Sequence, residues 1–140
     1  MVPRDRGRLA IYANGLAGAM NSLEQFNAAA AIDDNVVNTY VAAHPLDESS
    51  TENAIKDINS QYWVATASFF EFIENWTNWR RSGYPVLQPV NYVGNFSNGT
   101  IPRKVPYQSQ ESSNNPVNYN DAVSREGGKD DFTSRVWWDK

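Results

Sequence analysis

The sequence predicts a mainly α-helical protein that ends in long irregular loops with short extended segments. Two observations predict this fold class. Up to about residue 83, apolar residues recur at alternating spacings of three and four, which is typical of amphipathic helices. From residue 84 onwards Pro, Asn, Gly and Ser are frequent, and the helical spacing is largely lost. We therefore expect a helical region over 8–83 and a loop-rich region over 84–140, within one domain of 140 residues.

The strongest helical signal runs from Ser49 to Pro85. Its apolar stripe lasts about seven turns and is formed by Ile55, Ile58, Tyr62, Ala65, Phe69, Phe72, Trp76 and Trp79. Further apolar residues widen the stripe to more than half of the helix circumference, so we expect the segment to be deeply buried. The pattern fits either one continuous helix or two helices with a break near Thr66–Phe69.

Both ends of this segment carry stop signals. Ser49–Glu52 offers capping hydroxyls and a glutamate three residues after Ser49, as in a capping box. At the other end, Arg80 and Arg81 suit the helix dipole, Gly83 suits a left-handed cap, and Pro85 blocks continuation.

Weaker signals predict three more helices. They cover Leu9 to Phe26, Asp33 to Ala43 and Val117 to Ser124. In the first, Gly15 and Gly18 each cost about 1 kcal/mol relative to Ala, unless they allow close helix packing. The second has Asp33 or Asp34 as its cap and four residues predicted to face inward: Val36, Val37, Tyr40 and Val41. Short extended pieces are expected around Tyr92–Val93 and Ile101–Tyr107, where two prolines disfavour a central strand.

Composition excludes several classes of function. The net charge of −4 argues against a nucleic-acid partner, because backbone binding needs a concentrated basic surface. Cysteine is absent and His44 is the one histidine, so we expect neither a metal site nor a cofactor. No apolar run reaches the length of about 20 residues that a membrane-spanning helix needs.

Aromatic residues are unusually frequent, with five Trp, seven Tyr and six Phe. Such rings either fill cores or stack on flat ligands such as sugars. The loop Asn91–Thr100 combines rings with amides and hydroxyls, so Tyr92, Asn95 and Phe96 are candidate ligand-binding residues. The same composition also suits an ordinary polar turn.

Two carboxylates suggest a different class of protein. Glu71 and Glu74 lie three residues apart, close enough for the acid and second carboxylate of a glycoside hydrolase. Solvated charges on the flank of a helix are the commoner arrangement, and we expect no catalytic residue. A carbohydrate-active enzyme fragment and a purely structural assembly domain remain the alternatives to a binding protein.

Several motifs, in order, resemble the C-terminal portion of SusD/RagB-family nutrient-binding lipoproteins. The resemblance covers Leu9 to Lys140 and includes Gln61 with Trp63, then Glu74-x-Trp76-x-x-Trp79-Arg80-Arg81-Ser82-Gly83-Tyr84-Pro85, the basic segment around Arg103, the Gly127–Asp130 turn and the ending Val136-Trp137-Trp138-Asp139-Lys140. The chain departs from the family at Tyr62, where a lysine is usual, and at Phe69–Phe72, where a glycine is often found. These departures bear on the helix break rather than on membership.

The resemblance implies a non-enzymatic protein that binds oligosaccharides or other nutrients at the outer-membrane surface. It also implies a SusC-like TonB-dependent transporter as partner. The tetratricopeptide-like N-terminal part and the lipidated N-terminus are expected to be missing from these 140 residues. The motif residues are expected to be structural. The paired Trp137 and Trp138 are expected to dock on the body of the protein, since adjacent tryptophans are seldom left in water.

Overall fold

The computed structural model describes the backbone of residues 5–139 and the side chains of residues 7–139. Within that range six α-helices and two 3₁₀ turns form, and there is no β-strand. The predicted mainly α-helical class is confirmed. The chain divides into two units, one ending at Pro85 and one beginning at Val86.

The first unit contains four α-helices, whose bounds agree with the prediction for the Asp33–Ala43 segment but lie earlier in the chain than predicted for the Leu9–Phe26 segment. They are α1 (Asp5–Asn21), α2 (Asp34–Ala43), α3 (Thr51–Ser68) and α4 (Phe72–Ser82). The 3₁₀ turns Ser22–Gln25 and Ala28–Ala30 connect α1 to α2. The Asp33 carboxylate caps α2 by accepting from the Asn35 amide at 2.8 Å. Of the α2 residues predicted to face inward, Val37 is buried but Val36 is 55% exposed, which contradicts the prediction for Val36.

The long apolar segment forms two helices, as in the second of the two interpretations. Phe69 ends α3, and Phe70 takes a left-handed conformation with φ of 61°. The Glu71 amide donates to the Thr66 carbonyl at 2.9 Å, which closes the turn before α4 begins. The two helices then run antiparallel, so that the Asn75 side chain donates to the Trp63 carbonyl at 3.1 Å.

Polar residues occupy the contact between α3 and α4. Asn59 and Asn78 are 9% and 8% exposed, and the Asn78 amide donates to the Asn59 side-chain oxygen at 3.0 Å. The apolar stripe of α3 is left partly uncovered, and Ile55, Ile58 and Tyr62 remain 38%, 48% and 40% exposed. The prediction of deep burial is therefore wrong for α3, because its polar side is the one that packs on α4, whereas Trp79 at the end of the stripe is buried.

One predicted helix cap is confirmed, and another lies one residue later than predicted. Gly83 has φ of 79° and donates to the Trp79 carbonyl at 2.7 Å, as predicted for a left-handed cap. At the start of α3 the capping residue is Ser50 rather than Ser49, and its hydroxyl accepts from the Asn53 amide at 3.0 Å. Glu52 closes no capping box and instead accepts from the Tyr84 hydroxyl.

The second unit contains α5 (Glu111–Asn114) and α6 (Pro116–Arg125). The latter confirms the helix predicted over Val117–Ser124, with Pro116 in its first turn, where a missing amide hydrogen costs nothing. Between residues 86 and 110 the chain is irregular. The Arg103 amide donates to the Phe132 carbonyl at 2.7 Å, which ties this irregular segment to the C-terminal tail.

Candidate functional site

The loop that contains the predicted ligand-binding residues presents its rings to solvent. Tyr92 is 65% exposed and Phe96 is 84% exposed. The Phe96 ring lies 6.3 Å from the Phe132 ring, with an angle of 29° between their planes. The rings of Tyr92 and Phe96 therefore keep apolar surface on which a flat ligand can stack.

Asn95 plays a different part in this loop. Its side-chain oxygen accepts from the Ser97 amide and the Ser97 hydroxyl, both at 2.7 Å, and its amide group donates to the Val90 carbonyl at 3.3 Å. These bonds fix the turn between the two exposed rings. Asn95 shapes the loop, and its hydrogen-bonding groups are already engaged.

The residues of the α4 motif form a ring-and-cation cluster at the end of that helix. Trp79 is 7% exposed and donates from Nε1 to the Pro85 carbonyl at 3.1 Å. The Arg80 guanidinium lies 3.7 Å from the centroid of the Trp76 ring, and Arg80 is itself 7% exposed. Buried packing of this kind leaves little of Trp79 or Arg80 for a ligand, and a structural role for the motif remains our prediction.

The other motif residues of the first unit, Arg81, Gln61 and Glu74, each bond to a different partner. Arg81 is exposed and donates from Nη2 to the Asn78 side-chain oxygen at 2.6 Å. Gln61 accepts from the Tyr40 hydroxyl at 2.8 Å. Glu74 accepts from the Tyr62 hydroxyl at 3.0 Å. Burial, together with this bond to Glu74, raises the pKa of Tyr62.

A polar cleft of about 350 Å³ lies between α3 and α4 and brings together residues that the sequence did not group. Its lining consists of Ile58, Asn59, Tyr62, Glu74, Thr77, Asn78 and Arg81. Glu71 does not line this cleft. The carboxylate pair considered for glycoside hydrolysis is therefore divided between the cleft and the solvent-exposed corner before α4.

An apolar groove of about 590 Å³ lies between α1 and α3. Leu16 from α1 and Ile55 and Ile58 from α3 are among its lining residues. Ile58 and Tyr62 line both the groove and the polar cleft, so they form the ridge between the two cavities. Sequence reasoning missed the groove because it assigned the same residues to a closed core.

In the second unit, Lys104 is the centre of a charged cluster. Its ammonium group lies 3.0 Å from the Asp130 carboxylate, bonds to Glu126, and lies 4.2 Å from the centroid of the Tyr107 ring. Burial alone would lower the pKa of Lys104, but the bonds to Glu126 and Asp130 outweigh it and raise that pKa. The cluster fixes the basic, proline-flanked segment rather than leaving its cation for an anionic ligand.

The C-terminal tail is fixed through its acidic residue. The Asp139 side chain is fully buried and forms ion pairs with Arg103 at 2.7 Å and Arg135 at 3.5 Å. The Asp139 amide donates to the Val136 carbonyl at 3.0 Å, which closes a turn around the two tryptophans. Trp138 is half-buried but Trp137 is 94% exposed, so the expectation of two docked rings is wrong for Trp137.

Two further features concern the described residues as a whole. Among the described side chains of residues 7–139, no group of three or more His, Cys, Asp or Glu residues is arranged to hold a metal ion. None of the helices in that same range has the length and apolarity to cross a membrane.

The fold places the chain in the class of mainly α-helical proteins with an antiparallel helix pair and a loop-rich C-terminal part. The family model for SusD-like proteins, "Susd and RagB outer membrane lipoprotein", matches residues 15–139. The chain belongs to this SusD-like family.

Two solved structures are similar to the chain over most of its length. One is described as a chitin-binding protein, with 33% identity and a TM-score of 0.79 over 94% of this chain. The other is described as Bacteroidetes AC2a SusD-like, with 27% identity and a TM-score of 0.81 over 94% of this chain. The chain spans 28% and 25% of those two proteins. Among curated protein sequences none matches this chain.

Proposed function

We propose that the protein binds glycans without cleaving them and that the loop carrying Tyr92 and Phe96 contacts the sugar. The observation that carries this proposal is the pair of exposed rings, at 65% and 84%, in a member of the SusD-like family. Large rings left in water on an ordered turn cost hydrophobic free energy, which a stacked sugar ring would recover. Asn95 contributes by holding the turn.

Chitin or a related glycan is the first ligand to test. One similar solved structure is described as a chitin-binding protein, and the family consists of outer-membrane lipoproteins. Isothermal titration of the full-length protein against a panel of soluble glycans, with chitin oligosaccharides included, tests the proposal. We expect binding with no release of shorter products. If shorter products did appear and Glu74→Ala abolished their release, the alternative of a carbohydrate-active enzyme would be favoured.

A matched pair of variants tests the loop. Phe96→Ala removes a ring that is 84% exposed in the loop, whereas Phe72→Ala removes a ring that is 60% exposed at the start of α4. We expect the first variant to lose about tenfold in affinity, because a stacked aromatic ring contributes on the order of 1 kcal/mol or more. The second variant should bind as the wild type does. Equal affinity for both variants would exclude the loop as the contact site.

The apolar groove supports a proposal about the rest of the protein. Several of its lining residues, Ile11, Ile55 and Ile58, are exposed within this chain, and the chain spans about a quarter of the similar solved structures. We propose that a tetratricopeptide-like N-terminal part covers the groove in the full-length protein. Protection of the α1 and α3 amides from hydrogen exchange should then be higher in the full-length protein than in the isolated chain.

Family membership supports a proposal about the partner and the location. We propose a lipidated protein at the cell surface that works with a SusC-like TonB-dependent transporter and hands it an oligosaccharide or other nutrient. The family description as an outer-membrane lipoprotein supports the location. Co-purification of the tagged full-length protein from detergent-solubilised outer membranes should recover a TonB-dependent transporter. A tagged unrelated lipoprotein from the same membranes is the control.

A further inference from the structure

The polar cleft between α3 and α4 has the features of a small ligand site. Its volume of about 350 Å³ lies at the lower end of the range of about 300–1,000 Å³ that ligand pockets occupy. This size suits one sugar ring rather than an extended chain. The lining combines a ring, an aliphatic side chain, a hydroxyl, two amides, a carboxylate and a guanidinium.

The floor of the cleft is ordered before any ligand arrives. Asn59 and Asn78 are almost buried, and Asn78 donates to Asn59 at 3.0 Å while it accepts from Arg81 at 2.6 Å. Asn59 donates in turn to the Ile55 carbonyl at 2.7 Å. Because each of these groups is held by its neighbour, a ligand would meet a fixed arrangement of donors and acceptors and would lose less entropy on binding.

The rim of the cleft offers the groups that a sugar requires. Tyr62 is 40% exposed and is held across the cleft by its bond to Glu74, so that its ring forms one wall. Within the described chain Glu74 uses one carboxylate oxygen for this bond, and the other can accept from a ligand hydroxyl. Glu74 and Arg81 carry opposite charges, so the cleft as a whole favours a neutral ligand over an anion.

We propose that this cleft binds one pyranose unit of a neutral oligosaccharide, with the Tyr62 ring as its apolar wall and Glu74 and Arg81 as its hydrogen-bonding rim. The inference rests on the proposed glycan-binding function but adds a site distinct from the Tyr92–Phe96 loop. It does not require the two sites to hold the same molecule.

A pair of tryptophan substitutions on α4 tests the cleft in the full-length protein. Thr77→Trp fills the cleft, whereas Ile73→Trp adds the same ring at a position that is 75% exposed and outside the cleft lining. With a soluble chitin oligosaccharide as the probe, we expect Thr77→Trp to weaken binding by about tenfold and Ile73→Trp to leave it unchanged. Glu74→Gln keeps the side-chain size and should weaken binding by a similar factor, which covers the case in which Thr77→Trp fails to fold.

The outcomes separate this inference from the proposed function. If Thr77→Trp and Glu74→Gln bind as tightly as the wild type while Phe96→Ala binds weakly, the cleft proposal is wrong and the loop proposal stands. If the wild-type protein binds neither this probe nor any glycan in the panel, both proposals are overturned.

Discussion

The ammonium group of Lys104 lies 3.0 Å from the Asp130 carboxylate, and the two side chains are only 9% and 7% exposed. Tyr107 and Tyr119 complete the arrangement, because the Tyr107 amide donates to Asp130 at 3.1 Å and the Tyr119 hydroxyl donates to it at 3.2 Å. One carboxylate therefore holds the extended segment, the last helix and the tail of the second unit together.

The charge on Asp130 should make the second unit sensitive to acid. Burial alone would raise the pKa of Asp130, but the bonds from Lys104 and the Tyr107 amide outweigh it and hold that pKa below its ordinary value of 3.8. A lowered pKa gives stability that is present above pH 3.8 and is lost as the pH falls through the folded-state value. Urea unfolding of the second unit, followed by NMR at neutral pH and at about pH 3, should show a lower midpoint in acid.

Lys104 should make the second unit less stable at alkaline pH. Its pKa is raised above the ordinary value of 10.5, so its contribution is complete below that value and is lost as the pH rises through the folded-state pKa. We expect the midpoint of urea unfolding to be highest between these limits. A midpoint that is constant from acid to strongly alkaline pH would show that the cluster contributes nothing.

Replacing Lys104 with an uncharged residue should lower the free energy of unfolding of the second unit. Lys104→Met leaves Glu126 and Asp130 facing each other without a counter-ion, and we expect a loss of about 3 kcal/mol in the free energy of unfolding of the second unit. Lys129→Met removes an exposed lysine from the adjacent turn and is the matched control, with an expected change within about 0.5 kcal/mol. Urea unfolding at neutral pH measures both, and equal stability of the two variants would contradict the assignment.

Two glycines should respond to alanine in opposite directions. Gly83 has φ of 79°, so Gly83→Ala should destabilise the end of α4 by about 1–2 kcal/mol. Gly18 lies inside α1, and in the described part of the chain no heavy atom outside that helix lies within 4 Å of the point that an added methyl carbon would occupy. Gly18→Ala should therefore stabilise the helix by about 1 kcal/mol. Thermal unfolding of both variants should give melting temperatures on either side of the wild-type value. A lower melting temperature for Gly18→Ala would mean that something packs against that glycine.

The isolated chain should expose its groove. Ile11 is 73% exposed and lines the groove together with Ile55 and Ile58, and uncovered apolar surface of this kind promotes self-association and dye binding. We expect the 140-residue chain to oligomerise or to bind anilinonaphthalene sulfonate, as measured by light scattering and fluorescence. Ile55→Ser should reduce both signals more than Ile73→Ser, which alters an exposed residue outside the groove. A monomer with a sharp cooperative melt and no dye binding would contradict the proposal of a missing cover.

Local signals predicted caps at two helix ends because such signals depend on neighbouring residues. Gly83 acts as the predicted cap and Asp33 is one of the two caps considered for α2, since a cap needs only a suitable side chain or a permissive backbone. The break after Ser68 was one of two interpretations, because the left-handed conformation of Phe70 is not a preference that phenylalanine shows on its own.

The packing of α3 could not be read from its apolar stripe. Asn59 and Thr66 lie seven residues apart on one side of the helix, and both are buried while the apolar stripe is not. Hydrophobic periodicity assigns the polar side to solvent, whereas the bonds from Asn78 to Asn59 and from Asn75 to the Trp63 carbonyl show that it packs against α4. The cleft and the groove exist because the polar side of α3, and not its apolar stripe, packs against α4. Neither could therefore be predicted from the stripe.

The corner at Phe70 decides whether the proposed sugar cleft exists. Along an uninterrupted rod, twelve residues would separate Tyr62 from Glu74 by about 18 Å, whereas their side chains meet at 3.0 Å. The handedness of one backbone position, on a residue that does not line the cleft, thus sets the spacing of its walls. A change that straightened this corner would move the lining residues of α3 and α4 apart and abolish sugar binding in the cleft, although none of those residues would itself be substituted.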